Sequence, residues 1–233
     1  MRKALILTTA LCGLLYGVTA TAQERLGPTP RGQQSAPVGG GIVLDPGFES
    51  GSPNAAWAEA SSNFGTPLCT TAFCGSGGSS MPANSGDWWA WFGGIAATEV
   101  GSVEQVVTIP ENSNATLSFF FQAPSCSGAA EDFIEARMNG TVLWRADATS
   151  SFCGGNEAYT QINVDASAFS GFSPTLSFFS SMTSGGLTNF FIDDVQITAA
   201  PIPVSVDTLS PLNLTLLVLL LGGLGAVTVR RLA

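Results

Sequence analysis

The sequence predicts an all-β protein built as a two-sheet β-sandwich over residues 42–198, on three observations. Apolar residues recur with a period of two in several short segments, the pattern of strands with one face against a core. Asn139-Gly140 sits between two such segments, and Asn-Gly is a strong hairpin signal because both turn positions take positive φ. Gly, Pro, Ser and Asn punctuate the segments, and no convincing amphipathic helix lies between them. About eight to ten short strands at this spacing suit a sandwich.

Taken in order, Ile42–Leu44 and Trp88–Phe92 supply the first strands, and Val103, Val107 and Ile109 share one parity in the next. Residues 115–122 alternate clearly, with Leu117, Phe119 and Phe121 against Thr116, Ser118 and Phe120. Phe133–Met138 and Val142–Arg145 form the Asn-Gly hairpin; Tyr159–Val164, Thr175–Phe179 and Asn189–Thr198 complete the set. The strings NATLSFF (114–120) and SPTLSFF (173–179) look alike, which reads as shared strand grammar.

The flanks differ in composition. Residues 1–22 carry Arg2 and Lys3, an apolar run, and the small residues Ala20, Thr21 and Ala22, the pattern of a secretory signal peptide. A Gly-, Pro-, Gln- and Ser-rich leader over 23–41 follows, and residues 199–211 form a linker of similar character. Residues 212–229 are almost wholly apolar and end on Arg230 and Arg231 in a basic tip over 230–233. At about 1.5 Å per residue this segment would cover roughly 27 Å as a helix. It predicts a transmembrane or sorting helix with the sandwich outside the cytoplasm, so membrane and export machinery are expected partners.

Charge excludes other partners. Residues 42–198 hold 15 acidic side chains against Arg137 and Arg145, so the domain lies near −13 within a chain of −9 overall. Such a surface repels nucleic-acid phosphates and attracts cations. The chain has no histidine, which removes Ser-His-Asp chemistry, histidine metal sites and papain-like pairs. Paired carboxylates remain, with Glu131, Asp132 and Glu135 close in sequence, but solvent-facing charges are expected at a hairpin start; the chain reads as no enzyme.

Cys12 falls in the signal peptide and leaves Cys69, Cys74, Cys126 and Cys153. An even number suits disulfides in an oxidising compartment, and three pairings are possible. The favoured one joins Cys69 to Cys74 in a small loop and Cys126 to Cys153 across the loops flanking the hairpin. Neither spacing suits a zinc finger.

Four short motifs occur in order: LDPGFESGS (44–52), SGDWWAWFGG (85–94), VEQVVTIP (103–110) followed by ATLSF (115–119), and FIDDVQI (191–197). Together they resemble the jelly-roll modules of the galactose-binding-like and CenC-type carbohydrate-binding group. The resemblance implies a jelly-roll sandwich whose first and last strands lie side by side, with a carboxylate from each on a structural calcium. Asp45, Glu49, Asp193 and Asp194 are the implied ligands. Calcium needs six to eight oxygens, and Asp193 shares a strand face with Phe191 and Val195, where a bare carboxylate is costly. A bulge, an exposed edge or hydrogen bonds from turn amides would serve as well.

Trp57, Trp88, Trp89 and Trp91 are candidates for a sugar-stacking platform, with core packing the alternative because Trp88 and Trp89 point to opposite faces. The tail, with TLS at 208–210, the apolar run from Leu214 and Arg230-Arg231, resembles the IPTL-type sorting signals of Gram-negative bacteria. Two functions fit: a surface module binding glycan or matrix polysaccharide, or a structural or adhesive surface protein without a small ligand. A groove lined by exposed aromatics would separate them.

Overall fold

The structure is a computed structural model that describes residues 41–154 and 158–203. The expected signal peptide, nearly all of the leader, the end of the linker, the helix over 212–229 and the basic tip lie outside the described residues.

Among the described residues ten strands form two five-stranded sheets. The first has the order β1 (Ala58–Ser61), β4 (Glu99–Val106), β9 (Thr175–Met182), β6 (Phe133–Met138), β7 (Thr141–Asp147). The second has the order β2 (Leu68–Thr70), β3 (Trp88–Gly93), β10 (Asn189–Pro201), β5 (Ser113–Ser125), β8 (Thr160–Asp165). Every named strand pair is antiparallel. One short helix, α1 (Thr71–Cys74), follows β2.

The alternation read in the sequence becomes the core. Leu117, Phe119 and Phe121 of β5 face Leu176 and Phe178 of β9, all essentially inaccessible to solvent. Burying side chains of this size contributes roughly 1.5–3 kcal/mol each. The two look-alike strings supply these strands, and their matching Phe119 and Phe178 meet edge to face at 4.9 Å across the sandwich. The 139–140 turn takes φ of 48° at Asn139 and 78° at Gly140, the positive values its hairpin demands.

Three features differ from the sequence reading. Ile42–Leu44 is not a strand: the Gln105 side chain takes its backbone, accepting from the Leu44 amide at 3.0 Å and donating to the Leu44 carbonyl at 3.1 Å. β1 and β2 were not expected, being edge strands of four and three residues, too short to show an alternation: β1 is small and polar, and β2 puts two buried residues, Leu68 and Cys69, side by side. β10 continues to Pro201, beyond Thr198.

Both favoured disulfides are present, Cys69–Cys74 with Cα atoms 5.9 Å apart and Cys126–Cys153 at 5.7 Å. They are compatible with an extracellular protein. The expectation of a membrane-anchored protein is corrected: among the described residues no helix is long and apolar enough to cross a membrane. The sandwich is built from strands, and its helical turns are a few residues long.

Candidate functional site

The carboxylates assigned to calcium come together where the first turn meets the last strand. Asp45 and Phe48 adopt positive φ (46° and 59°), curling the chain so that Phe48 is buried against Trp57. The Pro46 carbonyl accepts the Val195 amide at 2.8 Å, docking the turn on β10. There β10 bulges between Asp193 and Gln196, with Asp194 at φ 48°. A side chain on Gly47 would begin 3.5 Å from Asp194 Oδ1 and 3.7 Å from both Asp193 Oδ1 and Glu49 Cγ.

Each of these carboxylates is hydrogen-bonded. Asp193, fully buried, accepts the amides of Asn84 (2.8 Å), Ser85 (3.1 Å) and Asp194 (2.7 Å). Burial, and then the neighbouring Asp194, still push its carboxyl up to about 8. Asp194 accepts from the Asn84 side chain and the Ser85 hydroxyl, both at 2.7 Å. Glu49 accepts the amides of Asp87 and Trp88 at 3.0 Å, and desolvation raises its carboxyl overall. Asp45 accepts the Ser50 amide and the Asn54 side chain. Among the described residues no group of three or more His, Cys, Asp or Glu side chains is placed so that it could hold a metal ion.

The four tryptophans do not form one platform. Trp57 is buried, its Nε1 donating to the Asp45 carbonyl at 2.9 Å, and Trp88 packs against the main core. Trp89 and Trp91 project from the other side of β3, where they join Phe191 in a small second cluster. Trp89 is fully buried there and Trp91 half-buried. The polypeptide between α1 and β3 covers this cluster.

The outer face of the first sheet holds a group that the sequence reading missed as a site. Phe133, Glu135 and Arg137 alternate on β6, with Arg145 on β7 and Phe179 on β9 in register with Glu135. Arg137 lies over the Phe179 ring at 4.0 Å and Arg145 over the Phe133 ring at 3.8 Å. Glu135 locks both guanidinium groups, with contacts of 2.5 Å to Arg137 and 2.7 Å to Arg145. The domain's two cationic side chains thus share one spot, with side-chain exposures of 26% and 41%. The signal was present as F-x-E-x-R on one strand face in a chain otherwise lacking cations there.

The nearby carboxylates are poor proton donors. Asp132 is buried and accepts from Ser127, Ser184 and Thr188 hydroxyls and from the amides of Thr183 and Ser184. These bonds outweigh burial and hold it at about 2. Glu135 is likewise lowered: burial opposes, and hydrogen bonds from Arg145 and Arg137 prevail. Both are ionised at neutral pH, so neither is set up as the acid of a glycosidase.

No family model matches the chain, and no curated protein matches it. Several solved structures are similar. The TmCBM61 module in complex with β-1,4-galactotriose shares 15% identity over 70% of this chain and 100% of its own, at a TM-score of 0.46. A cyclase from Fischerella sp. TAU shares 16% over 70% of this chain and 97% of its own, at 0.44. The K3 cleaved adhesin domain of Lys-gingipain from Porphyromonas gingivalis shares 16% over 67% of this chain and 98% of its own, at 0.45.

Proposed function

We propose that this sandwich is a non-catalytic glycan-binding module whose contact surface is the outer face of the first sheet. The observation that carries the reading is the locked pair of guanidinium groups placed over the Phe179 and Phe133 rings, 4.0 and 3.8 Å from their centroids. A guanidinium stacked on a ring keeps its opposite face and its remaining N–H donors for a ligand, and a pyranose presents apolar faces ringed by hydroxyl acceptors. Glu135 fixes both groups before a ligand arrives, which reduces the ordering cost of binding. Ser177, which pairs with Arg137 across β6 and β9, adds a hydroxyl to the same sheet.

A glycan array probed with the wild-type domain, followed by titration of the strongest ligand against Arg137→Ala and Arg145→Ala, tests this. Each substitution is expected to weaken binding about tenfold or more, a loss of roughly 1.4 kcal/mol. No glycan above background for the wild type, or binding unchanged in both variants, overturns the proposal.

A structural calcium ion belongs to the same reading. The only two basic side chains of residues 42–198 are both engaged by Glu135, so no cationic side chain balances the carboxylates around Gly47. Glu49, Asp193 and Asp194 are of the right hard-oxygen type for calcium, with Asp45 beside them. A cation there would exchange part of the present hydrogen bonding for metal–oxygen bonds and stabilise the junction of first turn and last strand.

A further inference from the structure

The segment from Gly75 to Gly86 crosses the outer face of the second sheet as a strap. It starts at the Cys69–Cys74 disulfide and ends where Asn84 and Ser85 bond Asp193 and Asp194. Beneath it lie Trp89, Trp91 and Phe191, with Trp89 and Trp91 stacked at 6.4 Å and Phe191 tilted against Trp89 and edge-on to Trp91. The strap touches these rings with a glycine. A Cβ on Gly77 would stand 2.7 Å from Phe191 Cζ and 2.9 Å from Trp91 Cζ2.

Its grip on the floor is mostly polar. The Gly77 carbonyl accepts from Asn189 at 2.8 Å, the Ser79 hydroxyl donates to Gln122 Oε1 at 2.7 Å, and the Pro82 carbonyl accepts the Tyr159 hydroxyl. Met81, the strap's one large apolar side chain, is 43% exposed. Two buried donors meanwhile find no acceptor: Trp89 Nε1, and Gln122 Nε2 in the residue paired with Phe191 across β5 and β10. A buried N–H without a partner is costly, so a closed strap leaves this floor under-satisfied.

We infer that the strap is a removable cover over a second glycan subsite, in which a pyranose ring replaces Gly77 against Trp91 and Phe191. The ring's C–H face stacks where the glycine now lies, and its oxygens accept from Trp89 and Gln122. This rests on the reading of the chain as a glycan binder but uses the opposite face of the sandwich from the arginine pair.

Gly77→Ala places a methyl group against both rings and should lift the strap; Asn189→Ala releases Gly77 without adding bulk, though it also removes the acceptor of Trp91 Nε1, and serves if the first variant fails to fold. Acrylamide quenching of tryptophan fluorescence reads the cover without any ligand, and both variants should quench more than wild type. On a glycan array, at least one variant should gain tenfold or more in affinity for a glycan. That gain should vanish when Trp91→Ala is added and survive when Arg145→Ala is added. Unchanged quenching in the folded variants overturns the cover. Increased quenching with no gain in glycan binding shows a floor occupied by water only and overturns the subsite. A gain lost with Arg145→Ala but retained with Trp91→Ala overturns the subsite while supporting the arginine face, and no glycan binding by any variant overturns both.

Discussion

The buried Asp193 makes stability depend on pH in a direction opposite to that of most carboxylates. Its folded-state value is raised from 3.8 to about 8, so the folded protein holds a proton that the unfolded chain releases. The stability that accompanies this proton is complete below about pH 4 and is lost as the pH climbs towards 8. One unit corresponds to about 1.4 kcal/mol, so raising the pH from about 5 to about 8 removes on the order of 4 kcal/mol. For a domain of this length that is a fall of roughly 10 °C in Tm. Glu49 is raised as well and acts in the same sense. Asp132, Glu135, Asp147 and Asp165 are lowered, so their contributions are already complete and stay constant across the window. Calorimetry in chelator from about pH 5 to about pH 8 measures the fall. Millimolar calcium at the upper end, binding the ionised cluster, should recover much of it by mass action. A Tm flat across the window in chelator and unmoved by calcium would refute both the buried-proton argument and the metal proposal.

Asp132→Ala should cost about 3–5 kcal/mol in urea melts, because it strips the shared acceptor from three hydroxyls and two amides in a buried loop junction. The wild type should lose stability below about pH 4 as Asp132 takes up a proton, a loss on the order of 2 kcal/mol by about pH 2. Glu135→Ala should weaken glycan binding although it removes no donor, since both guanidinium groups lose their anchor; unchanged affinity would show that their orientation is set by the rings alone. Phe178→Ala, which empties the space facing Phe119, should cost about 3–5 kcal/mol, read from the same melts.

Much of the sandwich was legible because its strands are amphipathic in the simplest way. Residues 115–122 and 175–179 put large side chains on one parity, and the Asn139-Gly140 turn announced its own backbone. β1 and β2 left no such trace, since an edge strand of three or four residues is too short to display an alternation. Ile42–Leu44 looked like a strand, but its partner is the side chain of Gln105, which no periodicity reveals. The carboxylates around Gly47 could be named from their motifs, whereas the amides that bond them come from residues 84–88, distant in sequence. Which tryptophans are covered was not legible for a related reason: composition marks rings, and only the path of the 75–86 segment shows which are roofed. Arg137 and Arg145 were counted as charges, and their placement over Phe179 and Phe133 depended on strand register.

The placement of β10 sets when this molecule can be assembled. It is the last strand of the described residues, yet it is the middle of the second sheet, hydrogen-bonded to β3 on one side and β5 on the other. Until residues 189–201 emerge from synthesis, those two neighbours, with Phe92, Phe119 and Phe121 among them, have nothing to join them. Folding must therefore wait for nearly the whole domain, closing its longest loops at the end. Truncation upstream of Asn189 should leave two exposed, aggregation-prone strand edges instead of a smaller sandwich.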